Sequence, residues 1–158
     1  MIKKYIDFIN ENKSYDDYYI TYDIDKYVYH ITSKSCEINI KENGFKTGKE
    51  LDVCEKRSAV YFADKDVNYG IYARNGESET YEGQDIGEVK VNIKGLKLLN
   101  MTYKDKTGWA NHKLYSGIVT RGELEKIPLD IDGTISFLDD GRIYEVCLKK
   151  DVANKLLN

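Results

Sequence analysis

The sequence predicts a single domain that mixes short strands with short helices, and three observations carry that expectation. Apolar, aromatic and β-branched runs of strand length recur between breaks, as at Tyr27–Ile31, Ala59–Ala63 and Val89–Ile93. Ser33 stands where a helix needs its N-cap, and Gly44 stands where that helix would stop in a left-handed residue. Leu138-Asp139-Asp140-Gly141 separates Thr134–Phe137 from Arg142–Leu148, and Asp-Gly between two such runs is a strong hairpin signal. With 158 residues the chain is comfortable for one core and short for two.

Taken in order, Ile2, Tyr5, Ile6 and Ile9 recur at helical spacing and predict a helix over residues 2–12. The Tyr- and Asp-rich stretch to Lys26 has no period and reads as irregular, so residues 1–26 should pack on the domain as a helix and a loose segment. The helix after Ser33 should bury Cys36 and Ile40, with a loop over residues 45–55. After the buried strand Ala59–Ala63, Asp64 or Asp66 can cap a helix reaching about Arg74. Residues 75–87 read as a mobile surface loop. Val89, Val91 and Ile93 alternate with Lys90 and Asn92, giving a half-buried strand, and Leu96–Leu99 can add another. Residues 107–127 should hold two short helical pieces, and a last helix should begin near Asp151.

Bulk chemistry narrows the function classes. The net charge is −3, and no stretch interleaves clustered Lys and Arg with aromatics, which argues against a broad nucleic-acid surface. Cys36, Cys54 and Cys147 show no CxxC spacing, and there are only two histidines, so neither a disulfide framework nor a metal site is expected. No apolar run is long enough to span a bilayer, and a cytoplasmic protein is the expectation. There is no GxGxxG, and Gly44-Phe45-Lys46-Thr47-Gly48-Lys49 is one residue short of a P-loop and lacks the following Ser or Thr. No Gly-x-Ser-x-Gly supports a hydrolase nucleophile. The excess of Tyr, 14 against 4 Phe, favours rings at the core boundary or along a cleft, where the hydroxyl stays wet.

Three segments bear chemistry. In Val28-Tyr29-His30-Ile31-Thr32-Ser33, a histidine ending an apolar strand can point into a cleft and bond a sugar hydroxyl, with Thr32 on the same side. A satisfied structural histidine near a helix cap is the plainer alternative. In Ala59-Val60-Tyr61-Phe62-Ala63-Asp64, Tyr61 can stack a flat ring with Tyr69 or Tyr72, and small Ala63 leaves room for it. Ordinary core aromatics would show the same spacing. In Arg142-Ile143-Tyr144-Glu145-Val146-Cys147-Leu148, Glu145 interrupts an apolar row that Ile143 and Cys147 would share. An acid there is costly unless it is paired, lines a cleft or faces water from an edge strand.

Together these segments resemble the ADP-ribosyltransferase superfamily, specifically the clade with a His-Tyr-Glu motif typified by poly(ADP-ribose) polymerases and diphtheria-like toxins. His30-Ile31-Thr32 with Asn43-Gly44-Phe45 is similar to that family's first motif, Tyr61-Phe62-Ala63-Asp64 to its second, and Tyr144-Glu145-Val146-Cys147-Leu148 to its third. The resemblance spans residues 27–155. It implies an α+β fold with a split, mostly antiparallel β core and flanking helices. It implies NAD⁺ as co-substrate without a metal, and transfer of ADP-ribose to a macromolecule. Glu145, His30 and Tyr61 would be catalytic. His30, the Ile31 backbone, Thr32, Tyr61, Ala63, and Tyr69 or Tyr72 would hold NAD⁺. A protein acceptor is expected over a nucleic acid, with a phage or bacterial effector, toxin or anti-defence role by analogy. A non-catalytic module of the same fold that binds NAD⁺ or a protein is the alternative. A tyrosine-rich interaction protein is a third.

Overall fold

A computed structural model of the protein describes residues 19–47, 50, 59–67, 86–105, 108–111 and 130–157. The expected helix over 2–12, most of the expected loop at 75–87 and the helix toward Arg74 beyond residue 67 lie outside them. The architecture is α+β and dominated by strands. A five-stranded sheet has the order β1 (Tyr19–Ile20), β5 (Leu98–Asn100), β8 (Gly133–Phe137), β9 (Ile143–Lys149) and β3 (Ala59–Phe62). A separate ribbon pairs β2 (Tyr27–Ser33) with β4 (Ile86–Asn92), and a small hairpin pairs β6 (Thr102–Asp105) with β7 (Gly108–Asn111). Helices α1 (Lys34–Asn43) and α2 (Lys150–Lys155) follow β2 and β9 directly. Among the described residues, no helix is long and apolar enough to cross a membrane.

All pairings are antiparallel except β5 with β8, which run parallel. The core lies where the ribbon packs on the larger sheet. Val28, Val89 and Val91 from the ribbon join Val60, Phe62, Ile135, Val146 and Leu148 from the sheet, with Phe45 and Ala153 closing the ends. Side chains of alternate residues on each strand make this surface, which is why the period of two was legible.

Local signals in the sequence are realised where they are local in space. Ser33 Oγ accepts the Cys36 amide at 3.3 Å as the N-cap of α1. Gly44 ends the helix at φ 83°, ψ 170°, a region open essentially to glycine, and its N–H bonds the Ile40 carbonyl. Gly141 takes φ 88° in the hairpin turn, with Leu138 N–H on the Arg142 carbonyl.

Three expectations are corrected. Tyr19–Ile20, read as irregular, forms edge strand β1 by pairing with Leu98 and Leu99, a partner nearly eighty residues away that no local pattern reveals. Residues 108–111, read as part of a helical piece, are strand β7, closed against β6 across a two-residue connection. Cys36 is exposed rather than buried. The helix instead buries Glu37, whose carboxylate collects Lys34 Nζ at 2.8 Å, Lys41 Nζ at 2.5 Å and the Glu88 amide at 3.2 Å. Those bonds, Lys34 first, push its carboxyl down to about 2. Helical residues do follow Asp64 directly, at 65–67, and its carboxylate also meets Lys26 Nζ at 3.4 Å and the Ile143 amide at 2.7 Å.

Gly133 lets β8 and β9 approach closely beside the candidate site. A Cβ there would lie 2.1 Å from the Cys147 carbonyl oxygen, which is backbone and cannot yield. Gly133→Ala is therefore expected to lower folding stability by about 2 kcal/mol, read from denaturant midpoints. A variant as stable as wild type would show that β9 can shift without cost.

Candidate active site

His30 lies at the seam between the two sheets. The β2 strand meets the open edge of the larger sheet at one backbone bridge, where Tyr29 N–H bonds the Ala63 carbonyl at 2.8 Å and Ala63 N–H returns to Tyr29 at 3.0 Å. One residue on, His30 Nδ1 lies 2.8 Å from the Tyr61 carbonyl oxygen. A carbonyl only accepts, so Nδ1 carries the proton. The ring stands edge-on to Phe45, with centroids 5.7 Å apart, and to Phe62 at 6.0 Å. Burial among these rings pulls the imidazole below its ordinary 6.5, while the bond to Tyr61 opposes the shift. His30 is thus neutral at pH 7, and its Nε2 is an acceptor.

The Tyr29–Ala63 bridge also fixes where the Ile31 backbone points. In an antiparallel ribbon, alternate residues turn both polar backbone groups to the same side. The amide and carbonyl of Ile31 therefore face the way of Tyr29's, away from β4 and toward the space between the sheets. Among the described residues, neither meets a backbone partner. Thr32 shares His30's face and is buried.

Tyr61 is half-buried on β3 and stands directly opposite Cys147 on β9. Ala63, two residues on and buried, continues that face. Glu145 is half-buried two residues before Cys147 and so joins it, with the Cys147 thiol donating to Oε1 at 3.2 Å. Across β8, Thr134 opposes Cys147 and Ser136 opposes Glu145. Sequence reasoning missed Cys147, Thr134 and Ser136, although their alternation with Ile135 and Val146 was available as a signal.

One reading of this strand is corrected. Ile143 does not share Glu145's face. Between Ser136 and Phe137 on β8 the partner advances from Glu145 to Ile143, so Tyr144 is an extra residue in a β-bulge. The bulge sends Ile143 into the core and leaves Tyr144 44% exposed. Ile143 is thereby taken out of the row that alternation alone would have had it share with Glu145, which stays on Cys147's face. Asp64 secures the spot, since its carboxylate and its amide both bond the backbone of Ile143.

No family model matches this chain, and no curated protein or solved structure is similar to it.

His30, Tyr61, Ala63 and Glu145 thus lie on or beside the neighbouring strands β2, β3 and β9; the His30 ring packs against Phe62, while Tyr61, Ala63 and Glu145 project from the sheet's other face. Tyr69 and Tyr72 lie outside the described residues. Glu88, the other carboxylate near these motifs, sits on the ribbon face of Tyr29 and Ile31, opposite to His30's. It pairs with Lys65 at 3.1 Å and stands opposite Ile31. Lys34, Lys41, Lys65 and Lys90 line a groove of about 730 Å³ beside Tyr29, with Glu37 and Glu88 among them. These lysines are scattered in the sequence and gathered by the fold into a surface of mixed charge.

Proposed function

We propose that this protein is a mono-ADP-ribosyltransferase that takes ADP-ribose from NAD⁺ and passes it to a macromolecule, on an ADP-ribosyltransferase-like split β core. The observation that carries the reading is the bond from His30 to the Tyr61 carbonyl. It joins two sequence segments picked out independently, and the strand holding the third lies against Tyr61. A neutral His30 offers Nε2 to a ribose hydroxyl, with Thr32 beside it. The amide and carbonyl of Ile31 suit a carboxamide, which needs one acceptor and one donor. Tyr61, with Tyr69 or Tyr72, would stack the nicotinamide over Ala63.

The reaction breaks the bond between nicotinamide nitrogen and the ribose anomeric carbon. Electrons leave with nicotinamide, and the sugar approaches an oxocarbenium ion, as in glycoside cleavage. Glu145 stabilises that positive charge through a ribose hydroxyl and polarises the acceptor. A protein side chain is the favoured acceptor, because the chain's net charge is −3 and its lysine groove is interrupted by fixed carboxylates. A cytoplasmic effector, toxin or anti-defence role fits a small transferase of this kind, by analogy.

Calorimetric titration with NAD⁺, run beside a nicotinamide-release assay, tests the first half. Binding without release would leave a non-catalytic module, and no binding would end the reading. Labelled NAD⁺ added to a lysate tests the second half: the label should be lost to protease. Label that resists protease and yields to nuclease would make the acceptor a nucleic acid.

A further inference from the structure

We propose that Cys147 is a positioning residue for Glu145, fixing its carboxylate through a thiol hydrogen bond before substrate arrives; the catalytic meaning of this contact rests on the transferase reading above. The two residues lie two apart on β9 and share a face, and Cys147 Sγ donates to Glu145 Oε1 at 3.2 Å. Cys147 is only 1% exposed, so water competes poorly for the thiol. A glutamate on a strand has three torsions to settle, and settling them during the reaction would raise the barrier. Cysteine has one, and burial on a paired strand fixes it.

The surroundings explain why a thiol suits this position. Cys147 is flanked across the sheet by Tyr61 on one side and Thr134 on the other, and Glu145 is flanked by Ser136. Thr134 and Ser136 are buried, and Ala59 and Ala63 continue the same face with minimal side chains. Such a face is made of small side chains, with the thiol as the donor that bonds the acid. A thiol packs as a small apolar group yet still donates, and a bond to a carboxylate is charge-assisted. Regular alternation from Cys147 puts Glu145 on this face, the bulge at Tyr144 takes Ile143 off it, and the thiol then selects the carboxylate's orientation.

Cys147→Ala and Cys147→Ser separate orientation from packing, with NAD⁺ alone as the probe. The alanine variant should lose about tenfold in kcat for nicotinamide release with KM changed less than about twofold, and serine should recover to within about threefold of wild type. An unchanged kcat in the alanine variant overturns the proposal. So does an equal loss in both variants, or one that follows their thermal midpoints. The contact is also read without turnover. The S–H stretching band that disappears in Cys147→Ser should move to higher frequency in Glu145→Gln, as the charged acceptor becomes neutral. A band that does not move overturns the hydrogen bond itself. A wild-type protein that neither binds NAD⁺ nor releases nicotinamide overturns the transferase reading and the catalytic role of Cys147 together, while the infrared result still decides the contact.

Discussion

Glu145→Gln is expected to lower nicotinamide release by at least about two orders of magnitude while leaving NAD⁺ affinity and thermal stability close to wild type. A preorganised charge aimed at the developing transition state commonly supplies about 3–4 kcal/mol to the barrier, and the amide removes the charge while keeping the shape. Stability should hold because Glu145 is half-buried on the face of β9 opposite to Val146 and Leu148, off the core surface. The glutamine oxygen can still accept from Cys147. Near-normal release would move the catalytic carboxylate elsewhere. Glu88, ion-paired with Lys65, is then the residue to replace.

His30→Ala should damage both affinity and fold. The imidazole fills space between Phe45 and Phe62, and its Nδ1 proton satisfies a sheet-edge carbonyl. Removing it leaves a cavity and takes a donor from the Tyr61 oxygen, expected to cost about 2–4 kcal/mol of folding stability. NAD⁺ affinity should fall in the folded fraction as well, because the ribose contact exists in the ground state. Normal affinity with lowered stability would make His30 purely structural. Its depressed proton affinity adds a signature. Below its ordinary 6.5 the unfolded chain takes up a proton that the folded chain refuses, so stability drops as pH falls through that value toward the lowered one. Thermal midpoints of wild type between pH 7 and 5 should therefore decline more steeply than those of His30→Gln. Parallel slopes would mean that the ring titrates freely in the folded protein.

What the sequence revealed follows from how local the physics is. The turn at Gly141, the cap at Ser33 and the stop at Gly44 each join residues a few positions apart, so the residue types alone specify them. The alternation of Val89, Val91 and Ile93 reports a half-buried strand without naming its partner. Tyr19–Ile20 has two residues and no pattern, and it exists because Leu98 and Leu99 offer an edge. Burial of Glu37 in place of Cys36 depends on three donors converging from α1 and β4, which hydropathy cannot register. At the candidate site the side chains that stood out, His30, Tyr61 and Glu145, are brought to neighbouring strands. Their supports were hidden. Cys147, Ser136 and Asp64 matter through register and backbone bonds, and the bulge at Tyr144 inverts the face that period-two counting assigns to Ile143.

A two-stranded ribbon such as β2–β4 has little stability of its own. Among the described residues it joins the larger sheet through shared core side chains, the Tyr29–Ala63 bridge, the His30 imidazole and the ion pairs Lys26–Asp64 and Lys65–Glu88. Opening at that joint requires only part of the free energy of unfolding the whole domain. Any ligand that touches both the ribbon and the sheet binds only the closed form and thereby tightens the joint, so its affinity and the ribbon's rigidity are linked quantities. A looser seam would weaken binding without altering a single ligand contact, and mutations in the Phe45–Phe62 packing would reach the cleft by that route.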